Sequence, residues 1–193
     1  MRIGIVDMYG TPHGLRYIVG AVVALGCEPF LLNGTRKSAE LVESIQRSDI
    51  RHWICSGSPT RVTDPDSPQI PLELLGLKDK RFLMICYSME SVLVQLGVPI
   101  RKRRENRKES FHLSIPRFFA AHPLFEGVRD PMILRRNHHW YFETDAIEPP
   151  VMLVASYRGE AMIVLYKNAV LAQHHPERTV DGRRFLWNWL RST

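Results

Sequence analysis

Arg81–Leu93 reads RFLMICYSMESVL, and the rest of the chain is organised around it. Phe82–Ile85 is a short apolar run without helical period, which predicts a buried strand. Ser88 is placed to cap a helix on which Met89, Val92, Leu93 and Leu96 recur at helical spacing as far as Gly97. Cys86 sits at the join. A nucleophile on a tight strand-to-helix turn is held clear of its neighbours. The helix N-terminus adds free N–H groups and positive potential, which favour a thiolate. The turn also offers the Tyr87 N–H as an oxyanion donor. The same position equally suits a small buried hydrophobe at a strand end, a common role for intracellular cysteines.

Two further segments bear on that choice. Gln173-His174-His175-Pro176-Glu177 follows the β-like run Ala169–Ala172. Side chains alternate along an extended chain, so His175 and Glu177 point to one side and His174 to the other. A base with a carboxylate to orient it is what a cysteine nucleophile requires. Earlier, Ile54-Cys55-Ser56-Gly57-Ser58-Pro59 reads as a strand entering a turn whose backbone N–H groups face an anion.

From the N-terminus, Ile3–Asp7, Phe30–Leu32 and Trp53–Cys55 read as strands, and Leu15–Leu25 and Ala39–Gln46 as helices between them. This alternation predicts an α/β fold: an open, mostly parallel central sheet with helices on both faces. Sites in such sheets lie at the carboxyl ends of the strands, where Asp7, Ser56 and Cys86 fall. Thr60–Pro71, rich in Pro, Asp and Ser, predicts a surface loop. After residue 110, Met132–Leu134, Met152–Ser156, Ala161–Tyr166 and Ala169–Ala172 predict short added antiparallel strands, and Arg183–Leu190 a final helix.

A chain of 193 residues with 45% hydrophobic and 24% charged residues fits one domain over residues 1–193. No apolar run reaches the roughly eighteen residues of a membrane span, and the first residues read as strand without a signal-peptide pattern, so no leader is expected. Three scattered cysteines without CxxC form neither a disulfide framework nor a zinc ribbon, which fits a reducing, cytoplasmic setting. No GxGxxG or P-loop follows the first strand, so no nucleotide cofactor is indicated. The pairs His138-His139 and His174-His175 lack metal-ligand spacing, and no metal is expected. A net charge of +6 suggests an acidic partner without demonstrating nucleic-acid binding. Arg101–Glu109, RKRRENRKE, holds six bases against two acids and reads as a solvated loop or hairpin tip. A docking surface for an acidic partner, a nuclear-import signal and a nucleic-acid patch are its functional alternatives.

Taken together, ICYSME, HPE and SGSP resemble the GxCxGxQ, HPE and SGGPG patterns of class I (triad) glutamine amidotransferases. The likeness covers nearly the whole chain. PLFEG at 123–127 matches a PLFxG segment, and Asn137-His138-His139-Trp140 resembles the NHGF-type segment that lines the family's glutamine pocket. HPERTVDGRRFLWNWL resembles the family's HPE–helix ending, with Gly182 and Asn188 aligned. The resemblance implies a flavodoxin-like sheet, Cys86 as nucleophile, His175 as base and Glu177 as its orienting acid. It places Gly57, Ser58, Tyr87, Glu90, Asn137, His138 and His139 around the substrate, His138 acting through its backbone; His139 reads equally as plain surface.

Glutamine would be hydrolysed through a thioester to glutamate and ammonia. The sequence shows no synthetase domain, so the resemblance implies that a separate synthetase subunit receives the ammonia. ICYSME and the ending look most like the GMP synthetase branch, which points to a nucleotide product. The departures are Met84 and Ser88 in place of glycines, Glu90 in place of the usual glutamine and Ser58 in place of a glycine. Two other readings use the same residues: a degenerate binding subunit without turnover, and a partner-independent γ-glutamyl amide hydrolase.

Overall fold

The computed structural model describes residues 1–192, the side chains of Pro12 and His13 excepted. Strands β1 (Arg2–Asp7), β2 (Glu28–Asn33), β3 (His52–Cys55) and β4 (Arg81–Ile85) alternate with helices α1 (Pro12–Ala24) and α2 (Ser38–Arg47). Helix α3 (Tyr87–Gln95) follows β4 directly. A long pair, β5 (Ile100–Leu113) and β6 (Met132–Phe142), comes next, then β7 (Met152–Tyr157), β8 (Glu160–Tyr166), β9 (Ala169–Ala172) and the last helix, α4 (Val180–Arg191). The main sheet has seven strands in the order β2-β1-β3-β4-β9-β8-β7. Its first five are mutually parallel, while β8 runs antiparallel to both neighbours.

The runs of the inner strands β1, β3, β4 and β9 are largely apolar because both faces are buried, while β2 is an exposed edge. Alternate residues enter two cores: Ile3, Ile5, Ile54, Leu83 and Ile85 pack with Leu15 and Ile18 of α1 and Phe185 and Trp189 of α4. Val6, Trp53, Cys55, Phe82 and Met84 pack with Leu41 and Ile45 of α2 and Met89 and Val92 of α3. Met84, bulky where a glycine is usual, is fully buried in this second core. Cys27 and Cys55 are buried core residues.

The basic run is where the expectation of a loop fails. Residues 101–109 lie inside β5, paired antiparallel with β6 across a register shift between Lys102 and Arg107. The alternation that marks a strand is present, but charged residues hold its inward positions. Arg136 of β6 is fully buried and pairs with Glu109 and, at 3.4 Å, with Glu160 of β8; Arg103 also reaches Glu160. His138 Nε2 lies 3.3 Å from the same Glu160 carboxylate. Ion pairing between distant segments joins the apolar burial of Phe111, Leu113, Met132, Leu134 and Phe142 in seating this ribbon on the main sheet.

Candidate active site

Cys86 directly follows β4 and sits at the N-cap of α3, with φ +51° and ψ −106°, a conformation rare for a residue with a side chain. Its backbone N–H donates to Ala172 O of β9 at 2.8 Å, and its carbonyl accepts the Glu90 N–H at 3.0 Å, opening the helix. Ser88 is therefore not the cap. Its hydroxyl donates to Ser56 O at 2.6 Å, tying the elbow to the loop after β3. Cys86 Sγ lies 3.9 Å from both Asn137 O and Gln173 Nε2.

The expected thiolate is not the resting state of this geometry. Burial, reinforced by the Glu90 charge, pushes the Cys86 thiol well above its ordinary value, and the Tyr87 backbone N–H pulls the other way. Desolvation outweighs the helix N-terminus here, so a thiolate needs a base to form.

His175 supplies the geometry of that base. Its Nδ1 lies 2.8 Å from Glu177 Oε1, its backbone N–H donates to Arg135 O at 2.8 Å, and its buried Nε2 has no hydrogen-bond partner among the described residues. Burial opposes ionisation of Glu177, yet the His175 charge and hydrogen bond hold the carboxyl below its usual value. His174 faces away, as alternation requires, against the Phe185 ring, and burial lowers it to about 4. Gly182 lets α4 approach the HPE turn: a Cβ there would lie 2.2 Å from Pro176 O.

A cavity of about 510 Å³ opens beside Cys86. Ser58, Tyr87, Glu90, Asn137, His138 and His139 line it. Gly57 lies outside that lining, at the meeting of Tyr9 and His175: a Cβ there would stand 2.8 Å from the Tyr9 hydroxyl and 3.7 Å from His175 Cε1. Asn137 Oδ1 accepts from Asn106 at 3.1 Å. His138 is buried and its ring is committed to Glu160; burial and Arg136 lower it to about 3, so it is neutral. His139 is exposed.

Two residues were missed. Tyr9, in the loop after β1, is held by its N–H donating to Asp7 Oδ1 at 2.8 Å. Burial first, then the charges of Cys86 and Glu177, raises its phenol, so it stays a neutral donor. Its place at the carboxyl end of a strand was a usable signal. Gln173, one residue past β9, donates to Glu90 Oε1 at 2.9 Å. Burial, only partly offset by that bond, pushes the Glu90 carboxyl up to about 7.

Among the described residues no cluster of His, Cys, Asp and Glu is arranged to hold a metal, and no helix is long and apolar enough to cross a membrane.

Comparison with known proteins bears on the whole of this arrangement. A glutamine-hydrolysing GMP synthase of Bartonella henselae is 31% identical over 157 residues, covering 77% of this chain and 29% of the relative. One from Pyrobaculum aerophilum is 27% identical over 156 residues, covering 79% and 29%. The chain thus spans under a third of the length of the curated relatives it matches. Among solved structures, a GMP synthase subunit protein of Thermoplasma acidophilum superposes with a TM-score of 0.73 at 18% identity, covering 98% of this chain and 92% of that one. A glutamine amidotransferase of Thermotoga maritima gives 0.64 at 13% identity, covering 98% and 80%. At these identities the structural likeness establishes the fold. Residues 5–190 match the family described as glutamine amidotransferase class-I, and the chain belongs to that family.

Proposed function

We propose that this chain is a cysteine-dependent glutaminase, a single domain over residues 1–193, that passes ammonia to a separate synthetase subunit in the synthesis of a nucleotide. The observation that carries the reading is the His175 imidazole, bound at Nδ1 by Glu177 and open at Nε2, with Cys86 on a strained elbow close enough for the Glu177 charge to act on its thiol.

His175 Nε2 takes the Cys86 thiol proton as sulfur attacks the side-chain amide carbonyl of glutamine. The Tyr87 N–H and a backbone N–H near Gly57 face the tetrahedral oxyanion. The C–N bond then breaks, and ammonia leaves with the proton from His175. Water attacks the thioester and gives a proton to His175, glutamate departs, and the proton returns to sulfur. Glu177 fixes the ring and offsets the imidazolium charge. Three free buried cysteines fit a reducing, cytoplasmic setting.

The test is release of glutamate and ammonia from glutamine by the isolated chain and by Cys86→Ala. Slow turnover, rising when a synthetase engages the chain and absent in Cys86→Ala, supports the reading. Turnover that survives the substitution overturns it.

A further inference from the structure

The opposite end of the sheet holds a second cleft, of about 370 Å³, which the chemistry at Cys86 does not use. It opens where β4 and β9 begin. The five residues of β4, at about 3.3 Å each, put it roughly 16 Å from the elbow. Arg81 at the head of β4, Lys167 in the turn between β8 and β9, and Arg191 in the last turn of α4 stand around it. Among the described residues no Asp or Glu lines this cleft, and none of the three cations has a carboxylate within ion-pair distance. The adjoining Lys80, by contrast, pairs with Asp79 at 3.0 Å. Arg191 has an ordinary account, since a cation in the last turn of a helix answers its dipole. Arg81 and Lys167 lie on a strand and a turn, where no helix end calls for them.

The cations are mounted on a braced frame. The Phe82 N–H donates to Asn168 O at 3.1 Å, and Asn168 Nδ2 donates to Leu77 O at 2.8 Å and Lys80 O at 3.2 Å. The turn that carries Lys167 is thereby tied to the segment that carries Arg81. His122 adds a donor. Its Nδ1 accepts the Leu124 N–H at 3.3 Å, which leaves the ring hydrogen on Nε2, and burial lowers its pKa, so the ring is neutral. Positive potential at this end also acts on His52, which burial, then the charges of Arg51 and Arg81, lower to about 4. Leu124, Leu165 and Val170 supply an apolar wall.

Cations from three separate elements suit a group with several charged oxygens. A single carboxylate is already satisfied by one guanidinium fork. A phosphate monoester carries about −1.5 to −2 at neutral pH and three acceptor oxygens. The apolar wall, in a cleft within the size range of small-molecule sites, leaves room for an organic half. We propose that this cleft is a binding site for a phosphate monoester. The phosphate sits between Arg81, Lys167 and Arg191, and the organic half lies against Leu165 and Val170.

Isothermal titration calorimetry of the full chain with phenyl phosphate, inorganic phosphate and benzoate tests the assignment. Phenyl phosphate is expected to bind about tenfold more tightly than inorganic phosphate, because its ring leaves water, and more tightly than benzoate. Binding should weaken as salt rises. R81Q and K167Q should each weaken phenyl phosphate by about three- to tenfold. Lys167 is exposed on a turn, so K167Q reads the site even where R81Q fails to fold. R61Q and R104Q, at the Cys86 cavity, should leave the affinity unchanged. Labelling Cys86 beforehand with a glutamine-mimicking diazoketone should leave it unchanged too, which keeps this site separate from the reading of Cys86 as nucleophile.

No binding of phenyl phosphate, or an affinity that K167Q leaves untouched, overturns the proposal. An affinity abolished by R61Q or R104Q overturns it as well and puts the phosphate in the Cys86 cavity. Benzoate binding as tightly as phenyl phosphate overturns the assignment to a phosphate.

Discussion

His175 Nδ1 stands 2.8 Å from Glu177 Oε1, and both side chains are buried at the turn that links β9 to α4. The contact divides the imidazole into a held nitrogen and an open one. With Nδ1–H donating to the carboxylate, Nε2 is left as the acceptor, the tautomer a general base requires.

Glu177→Gln should therefore keep the fold and lose the chemistry. The amide neither fixes that tautomer nor balances an imidazolium. Steady-state glutamine hydrolysis should show kcat lower by about 10²–10⁴-fold with KM little changed. An unchanged kcat would remove Glu177 from the mechanism.

Glu90 couples the site to pH. Its carboxyl rises from an ordinary 4.5 to about 7, chiefly through burial. Between those values the folded chain keeps a proton that the unfolded chain has lost, so Glu90 makes stability fall as pH rises through this window. Glu90→Gln has no such proton. Its stability relative to wild type should rise by about 3 kcal/mol between about pH 4 and pH 8, measured by denaturant titration. Removing the charge should also lower the Cys86 thiol pKa and speed its alkylation on the alkaline side of neutrality. Parallel stability profiles would place Glu90 in a hydrated environment instead.

The elbow holds strain at Cys86 itself, where φ is +51°. Alanine keeps the strain and glycine releases it. Cys86→Gly should be more stable than Cys86→Ala by about 1 kcal/mol, the reverse of the usual order. Denaturant midpoints of the two inactive proteins decide the matter, and a more stable alanine variant would mean the elbow is relaxed.

The ribbon gives a fourth expectation. Glu160 is buried with Arg136 Nη1 at 3.4 Å, His138 Nε2 at 3.3 Å and Arg103 against it. Glu160→Ala leaves Arg136 with only the half-exposed Glu109 as its carboxylate partner. The cost should be about 3–5 kcal/mol by chemical denaturation. A loss below about 1 kcal/mol would show that the ribbon is seated by other contacts.

Of the parallel half of the sheet, β1, β3 and β4 were legible because they are apolar runs buried on both faces, whereas β9, expected among the added antiparallel strands, pairs parallel with β4. The ribbon was not. Arg103, Glu109, Arg136 and His138 occupy positions where apolar residues would have revealed β5 and β6, and their partners lie up to dozens of residues away. In the site, Cys86 was legible from the strand–helix join; His175 and Glu177 were read from an extended chain, whereas Glu177 lies in the short turn Pro176–Arg178 that brings its carboxylate to His175. Tyr9 and Gln173 were not, because their contacts with Gly57 and Glu90 come from the packing of separate loops. Ser88 misled because the helix begins one residue before it.

The most direct test of Cys86 as the nucleophile is intact-mass analysis after exposure to a glutamine-mimicking diazoketone, with wild type beside Cys86→Ala. The free cysteines are Cys27, Cys55 and Cys86, and only Cys86 lies at the cavity. The expected result is one adduct, mapped to Cys86 and absent from Cys86→Ala. An adduct on Cys27 or Cys55, or none after prolonged exposure, would contradict it.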